Sequence, residues 1–306
     1  MSPTIGVAVI THSARKHLPH CLPPFLNSPF KPRVLVVNSS SFDGTVEAAE
    51  ALGAETLVVP RQQFNHGATR ELARKYLGTD IVVMVTPDAY VAHSQDAEDD
   101  FLKILLKPLF EEKCSVAYAR QIPHHGADPF ESFSRKFNYP KESHIRSLKN
   151  IDTHGVYTFF CSNSCAAYIN SALDEIGGFE PVLLGEDTVA LARLLQRGHH
   201  VAYVAEATIH HSHRYSLLQE FRRSFDIGLA RKEYNHLIAA GGKDTTRGKT
   251  YTLELTRHLW ENHRTLLPYA FLQTLAKWSG YQFGKYSVKA PVWFKRTLSS
   301  QDFYWI

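Results

Sequence analysis

Apolar residues in the first half of this chain come in short continuous runs, separated by segments with helical spacing. That alternation marks buried parallel strands joined by helices. Ile5 to Ile10 and Arg33 to Val37 read as the first two strands, followed by Thr56 to Val59 and Ile81 to Val85. Between the first pair, Leu18, Leu22, Phe25 and Leu26 keep helical spacing, while Pro19, Pro23 and Pro24 predict a short or kinked helix. Asp43-Gly44-Thr45 looks like an N-cap for a helix over Val46 to Leu52 that Gly53 ends. Gly67 to Leu77 predicts another, stopped by Gly78, and Ser94 is placed to cap the acidic run Asp96 to Asp100 with Leu102, Leu105, Leu106 and Leu109 turned inward.

The second half is less regular. Pro123 to Gly155 is polar and aromatic without a period, which predicts a long functional loop or lid. Order resumes at Tyr157 to Phe160, and helices are expected over Ser171 to Ile176 and over Glu186 to Gln196, the latter ended by Gly198. His200 to Ala205 reads as a strand that leads through Thr208-Ile209 to a group of histidines. Beyond Tyr215 the pattern is helical to about Ala240, Gly241 to Lys249 reads as a hinge or loop, and a basic, aromatic C-terminal region follows. The expected division is an α/β unit over 1–240, with halves 1–122 and 123–240, and a helical extension over 241–306.

Composition narrows the class. With 44% hydrophobic and 21% charged residues in 306, the chain has enough apolar material for one large core. No run approaches the roughly 18 apolar residues needed to cross a bilayer, and the N-terminus has neither a basic leader nor a cleavage site. Cys21, Cys114, Cys161 and Cys165 contain no CxxC pair, so a reducing cytoplasmic location is expected. Net charge is only +4, which with no recognisable module argues against nucleic acid. Trp278, Tyr281, Phe283, Tyr286, Trp293 and Phe294 are interleaved with Lys277, Lys285, Lys289, Lys295 and Arg296. This mixture suits peripheral contact at the inner face of the plasma membrane or a homodimer interface.

Three polar groups stand out by position: Thr86-Pro87-Asp88 closing an apolar strand, Gly185-Glu186-Asp187 opening a helix, and His211-Ser212-His213 closing another strand. His211 and His213 share one side of an extended segment and His210 the other. Ligands of open parallel sheets gather at the carboxyl ends of strands, where Asp88 lies. Each group also has an ordinary structural reading: a buried hydrogen-bonded Asp, acids favourable to a helix N-terminus, and a strand-end histidine.

The ordered set Phe64-Asn65-His66-Gly67-Ala68-Thr69-Arg70, Thr86-Pro87-Asp88-Ala89, Tyr118-Ala119-Arg120-Gln121, Phe160-Cys161-Ser162-Asn163, Ile176-Gly177-Gly178-Phe179, Gly185-Glu186-Asp187 and His211 to Ser216 resembles family-two inverting glycosyltransferases, particularly their bacterial rhamnosyltransferase branch. It spans roughly residues 5 to 235. The resemblance implies a GT-A fold: a mixed, mostly parallel sheet flanked by helices, with a nucleotide-binding half and an acceptor-binding half. It assigns Thr11, His12 and Asn38 to the nucleotide base or ribose, Asn38 standing where relatives carry an aspartate. Arg70 is assigned to the base and phosphates, with pairing to a helix neighbour as its alternative; His66 and Gly67 could bring the backbone close to the nucleotide or only shape a turn, and Arg120, Gln121 and Asn163 carry groups suited equally to sugar hydroxyls or to bracing the sheet edge. Asp88 matches the last acid of a DxD-type motif whose first position is here Thr86; with His211 or His213 it would hold Mg²⁺ or Mn²⁺. Asp187 is the expected general base and Glu186 its support. A nucleotide-diphosphate sugar is the implied donor, dTDP-β-L-rhamnose in that branch, with a glycan or lipid-linked acceptor in bacterial surface polysaccharide synthesis. Two rivals are a non-catalytic nucleotide- or glycan-binding protein, suggested by Thr86, and a metal hydrolase of nucleotide sugars.

Overall fold

The computed structural model of the chain describes residues 2–92, 100–242 and 244–305. Its strands are β1 (Ile5–Thr11), β2 (Arg33–Asn38), β3 (Glu55–Val58), β4 (Ile81–Val85), β5 (Tyr90–Val91), β6 (Val116–Ile122), β7 (His144–Arg146), β8 (Cys165–Ile169) and β9 (Val201–His210). They form one mixed sheet in the order β3-β2-β1-β4-β8-β6-β9-β5, with β7 also on β9. The four strands legible from apolar runs are parallel, in register from Gly6 opposite Arg33 and Ile5 opposite Ile81. Side chains alternate across the sheet: Ala8, Ile10, Val82 and Met84 enter one core layer, and Val7, Val9, Val83 and Val85 the other.

The helices are α1 (Leu18–Cys21), α2 (Pro23–Leu26), α3 (Thr45–Ala51), α4 (His66–Leu77), α5 (Phe101–Phe110), α6 (Pro129–Asn138), α7 (Ile151–His154), α8 (Asn170–Glu175), α9 (Glu186–Gln196), α10 (Leu217–Glu233), α11 (Asn235–Ile238), α12 (Asp244–Asn262), α13 (Leu267–Tyr286) and α14 (Val292–Leu298). As the prolines dictate, the first helical pattern is split into two single turns. One face of the sheet is covered by α4, α8, α9 and α10, the other by α1, α3 and α5.

Several expectations are corrected. Gly44, at φ 80°, occupies the N-cap of α3. The Asp43 carboxylate instead accepts from Ser41, Thr45 and the Arg15 N–H, and these bonds outweigh burial to hold its pKa at about 2. Ser94 and most of the acidic run lie outside the described residues; Asp100 caps α5 through the Lys103 N–H. Pro123 to Gly155 is not a loop. It contains α6, whose Asp128 and Glu131 form a complete capping box, then β7 and α7. The Phe130, Phe133 and Phe137 stripe of α6 packs against α12 and α13, so its periodicity serves a small satellite core. Residues Gly155–Phe159 are 3₁₀ helix, and β8 enters the sheet antiparallel between β4 and β6. The expected hinge at 241–249 is helical from Asp244 onward.

The C-terminal helices are held by glycines. A Cβ at Gly280 or Gly284 would collide with the Phe221 or Phe225 carbonyl of α10, and one at Gly228 with the Tyr281 carbonyl of α13. Helices α10 and α13 therefore approach backbone to backbone. No described helix is long and apolar enough to cross a membrane, and all four cysteines are free and buried.

Candidate active site

Asp88 reaches its partners through a short sheet extension. Directly after the Thr86-Pro87-Asp88 turn, β5 pairs antiparallel with β9, Tyr90 opposite His210. Within the β6–β9 ladder, a register shift between Ala119 and Arg120 leaves extra residues on β9 just ahead of the histidines. Asp88 Oδ1 lies 3.6 Å from His211 Nε2 and Oδ2 lies 3.4 Å from His213 Nε2. His210 turns away to the Pro123 carbonyl, at 2.9 Å. His211 Nδ1 is 2.9 Å from Gln121 Oε1, whose amide nitrogen donates to Ser162 Oγ. Since that oxygen can only accept, Nδ1 carries the proton and the Nε2 lone pair faces Asp88.

Burial drives the His211 pKa down to about 3 against the opposing attraction of Asp88. It lowers His213 as well, where Arg223 and Arg135 reinforce the effect. For Asp88, burial resists ionisation but the two rings and hydrogen bonding outweigh it. At neutral pH the trio is thus one carboxylate and two neutral imidazoles, all ligand atoms within 4.8 Å of one another. A carboxylate and two neutral imidazoles converging in this way fit a divalent cation.

The second centre lies at the N-terminus of α9. Glu186 is buried, 3.2 Å from Arg70 Nη1 and 3.0 Å from Asn163 Nδ2. Asp187 accepts from the backbone N–H groups of Asn163 and Thr188. Burial and the adjacent Glu186 charge lift the Asp187 pKa to about 6 despite those bonds. Two neighbouring carboxylates are thereby set apart: Glu186 is neutralised by Arg70 and stays ionised, whereas Asp187 has proton affinity near neutrality.

Residues assigned to the nucleotide by resemblance fall in two places. Arg70 also donates to the His66 carbonyl, so its charge is spent inside the protein on Glu186, across helices. Its neighbour His66 meets Gln301 at 3.3 Å and packs on Phe64 and Phe303. A Cβ at Gly67 would strike the Glu180 carbonyl, which makes that glycine a packing requirement. Thr11, His12 and Asn38 gather at the carboxyl ends of β1 and β2: Thr11 bonds the Val37 carbonyl, Asn38 Oδ1 accepts from Ser41, and His12 is exposed beside Ser39. Arg120 keeps a buried Nε without a hydrogen bond.

Sequence reading missed an imidazole and phenol collar around Asp88. His124 Nε2 lies 3.1 Å from the Asp88 carbonyl, and Tyr90 contacts His17 through its hydroxyl at 2.6 Å and His124 edge to face. Seventeen histidines were the available signal, and only the gathering of a few of them, His17, His124, His211 and His213, about Asp88 and Tyr90 makes those informative. A cavity of about 810 Å³ opens from His213 between α6, α10, α12 and α13.

Comparison with known proteins accords with this geometry. The chain is 34% identical over 305 residues to the O-antigen chain rhamnosyltransferase RfbN of Salmonella typhimurium, covering 98% of this chain and 96% of that protein. It is 35% identical over 276 residues to the O-antigen chain rhamnosyltransferase WbaN of Salmonella anatum, covering 89% and 86%. Among solved structures, the mannosyltransferase PcManGT from Pyrobaculum calidifontis, in complex with GDP-Man and Mn²⁺, superposes with a TM-score of 0.59 at 14% identity, over 94% of this chain and 86% of that one. S. aureus TarS 1-349 gives 0.52 at 14% identity over 94% and 91%. These neighbours identify the fold as GT-A. Residues 6–177 match Glycosyl transferase family 2, and the chain belongs to that family.

Proposed function

We propose that this glycosyltransferase moves L-rhamnose from dTDP-β-L-rhamnose to a hydroxyl of a glycan or lipid-linked oligosaccharide, with inversion, in bacterial surface polysaccharide synthesis. Similarity to two rhamnosyltransferases along nearly the whole chain supports the sugar and the pathway class. The observation that carries the mechanism is the separation of roles between two acidic centres. Asp187, with a pKa of about 6, takes the proton of the acceptor hydroxyl as that oxygen attacks the anomeric carbon. Glu186, locked by Arg70 and Asn163, keeps Asp187 oriented and raises its basicity. Asp88, His211 and His213 would hold a divalent cation, with Gln121 fixing the His211 tautomer. When bound there, a cation would supply positive charge for the departing diphosphate. Two imidazoles in the donor set favour Mn²⁺ over Mg²⁺.

Calorimetry with a panel of nucleotide sugars, with and without Mn²⁺, tests the reading. Selective, cation-strengthened binding of dTDP-L-rhamnose is expected, and Asp88→Asn should abolish the cation effect while the protein stays folded. Preference for a UDP- or GDP-sugar would discard the rhamnosyl assignment. No donor binding by folded protein would favour the non-catalytic reading that Thr86 suggested.

The protein is also proposed to act at a membrane surface. Helix α13 is inverted for one facing water: Ala270, Gln273, Gly280 and Gly284 are buried, while Phe271 and Tyr286 are 69% and 80% exposed. Between Glu261 and Asp302 the sequence has no acid but carries Arg264, Lys277, Lys285, Lys289, Lys295 and Arg296. Aromatics at headgroup level with cations among them match an anionic bilayer.

A further inference from the structure

The cavity of about 810 Å³ beside the cation centre is large enough for a sugar together with a phosphate-bearing group. Its charges are unbalanced in an informative way. Asp128 and Glu131 are committed to capping α6, and Arg214 lies 3.7 Å from Asp128. Glu220 accepts from Gln273 at 3.0 Å and meets Lys277 at 3.3 Å. Three further lining cations, Arg135, Arg223 and the exposed Lys249, have no carboxylate within ion-pair distance among the described residues, and the two arginines are the ones with a planar fork. Aromatic rings steady both arginines: the Arg223 guanidinium lies 5.4 Å from the Tyr215 ring and that of Arg135 6.0 Å from Tyr139. The Arg135 Nε is in addition buried without a hydrogen-bond partner.

An unpaired guanidinium inside a concave, partly desolvated site is stabilised by an oxyanion, and its planar fork matches phosphate oxygens. Arg135 is half-buried and Arg223 exposed, so a neutral glycan settling over them would displace water without compensating either charge. We infer that Arg135 and Arg223 bind a phosphate of a diphosphate ester seated in this cavity. The apolar lining, with Phe130, Tyr269 and Trp278, suits the uncharged part of such a molecule. Two diphosphates could supply the group, the donor's or one that carries the acceptor, and this choice alone rests on the transferase reading.

Both are resolved by titrating the full chain in a calorimeter with dTDP plus Mn²⁺ and, separately, with farnesyl diphosphate without metal. Wild type, Arg135→Gln and Arg223→Gln are compared, with thermal melts to verify folding. Weakening of farnesyl diphosphate by about tenfold or more, with dTDP unchanged, supports the site and assigns it to the acceptor side. Equivalent weakening of dTDP supports the site and assigns it to the donor. Unchanged affinity in both titrations overturns the inference, as does farnesyl diphosphate failing to bind wild type while dTDP is indifferent to the substitutions. If wild type binds no dTDP at all, the donor reading fails and the farnesyl diphosphate titration still decides the arginines. Arg135→Lys and Arg223→Lys, which keep charge without the fork, should recover part of the lost affinity.

Discussion

Asp187 serves its proposed role at a cost to the fold. Its carboxyl binds a proton more tightly in the folded protein, at about 6, than at the ordinary value of 3.8. From about pH 4 to 6 the folded state therefore holds more protons than the unfolded state, and stability falls as pH rises through that window. Asp187→Asn removes the buried charge, so above pH 6 the variant should melt about 2–4 °C higher than wild type, a gap that closes toward pH 4. Activity should move the other way. The variant should lose about 10²–10⁴-fold in kcat with donor affinity retained, and wild-type kcat/KM should rise about tenfold per pH unit up to pH 6 and then level off. Normal transfer by Asp187→Asn would remove the residue from the mechanism. The sequence made Asp88, Asp187 and the histidines visible because each sits at a strand or helix end. It could not reveal that Arg70 serves Glu186, since that pair joins α4 to α9 across the core.

At the scale of elements, runs and periodicities were legible wherever local and tertiary demands agreed. Strands β1, β2 and β4 and helices α4 and α9 are buried along continuous apolar patterns, and their ends fall close to the expected residues. Helix α6 was hidden because its phenylalanine stripe faces other helices within a polar, aromatic segment, and β8 because an antiparallel insertion leaves no signature beyond five mostly apolar residues. The α10–α13 contact was hidden too, since a glycine in a helix pattern reads as weakness when it permits close approach. Gly284→Val should accordingly destabilise by about 1–3 kcal/mol, seen as a lowered denaturation midpoint. A neutral outcome would mean that the two helices can separate without loss.

For the whole molecule, the proposed surface attachment rests on the outward face of α13 and the acid-free span around it. Flotation with vesicles containing anionic lipid should recover wild type and fail for a Phe271→Ser, Leu275→Ser, Tyr286→Ser triple variant, with donor binding preserved. Unchanged flotation would reject this face as the contact, and concentration-dependent dimerisation lost in the same variant would reassign it to a second copy. Charge and aromatic content made the region conspicuous in the sequence. Its orientation became readable only once the glycines were seen to face inward.

The proposed cation centre draws Asp88 from the turn after β4 and His211 and His213 from the end of β9, with β5 to β8 lying between them along the chain. During synthesis the site has no existence until the last strand has emerged and docked. Under the proposed function, cation loading would therefore report completed assembly, since a chain that has not passed β9 lacks both histidines of the set.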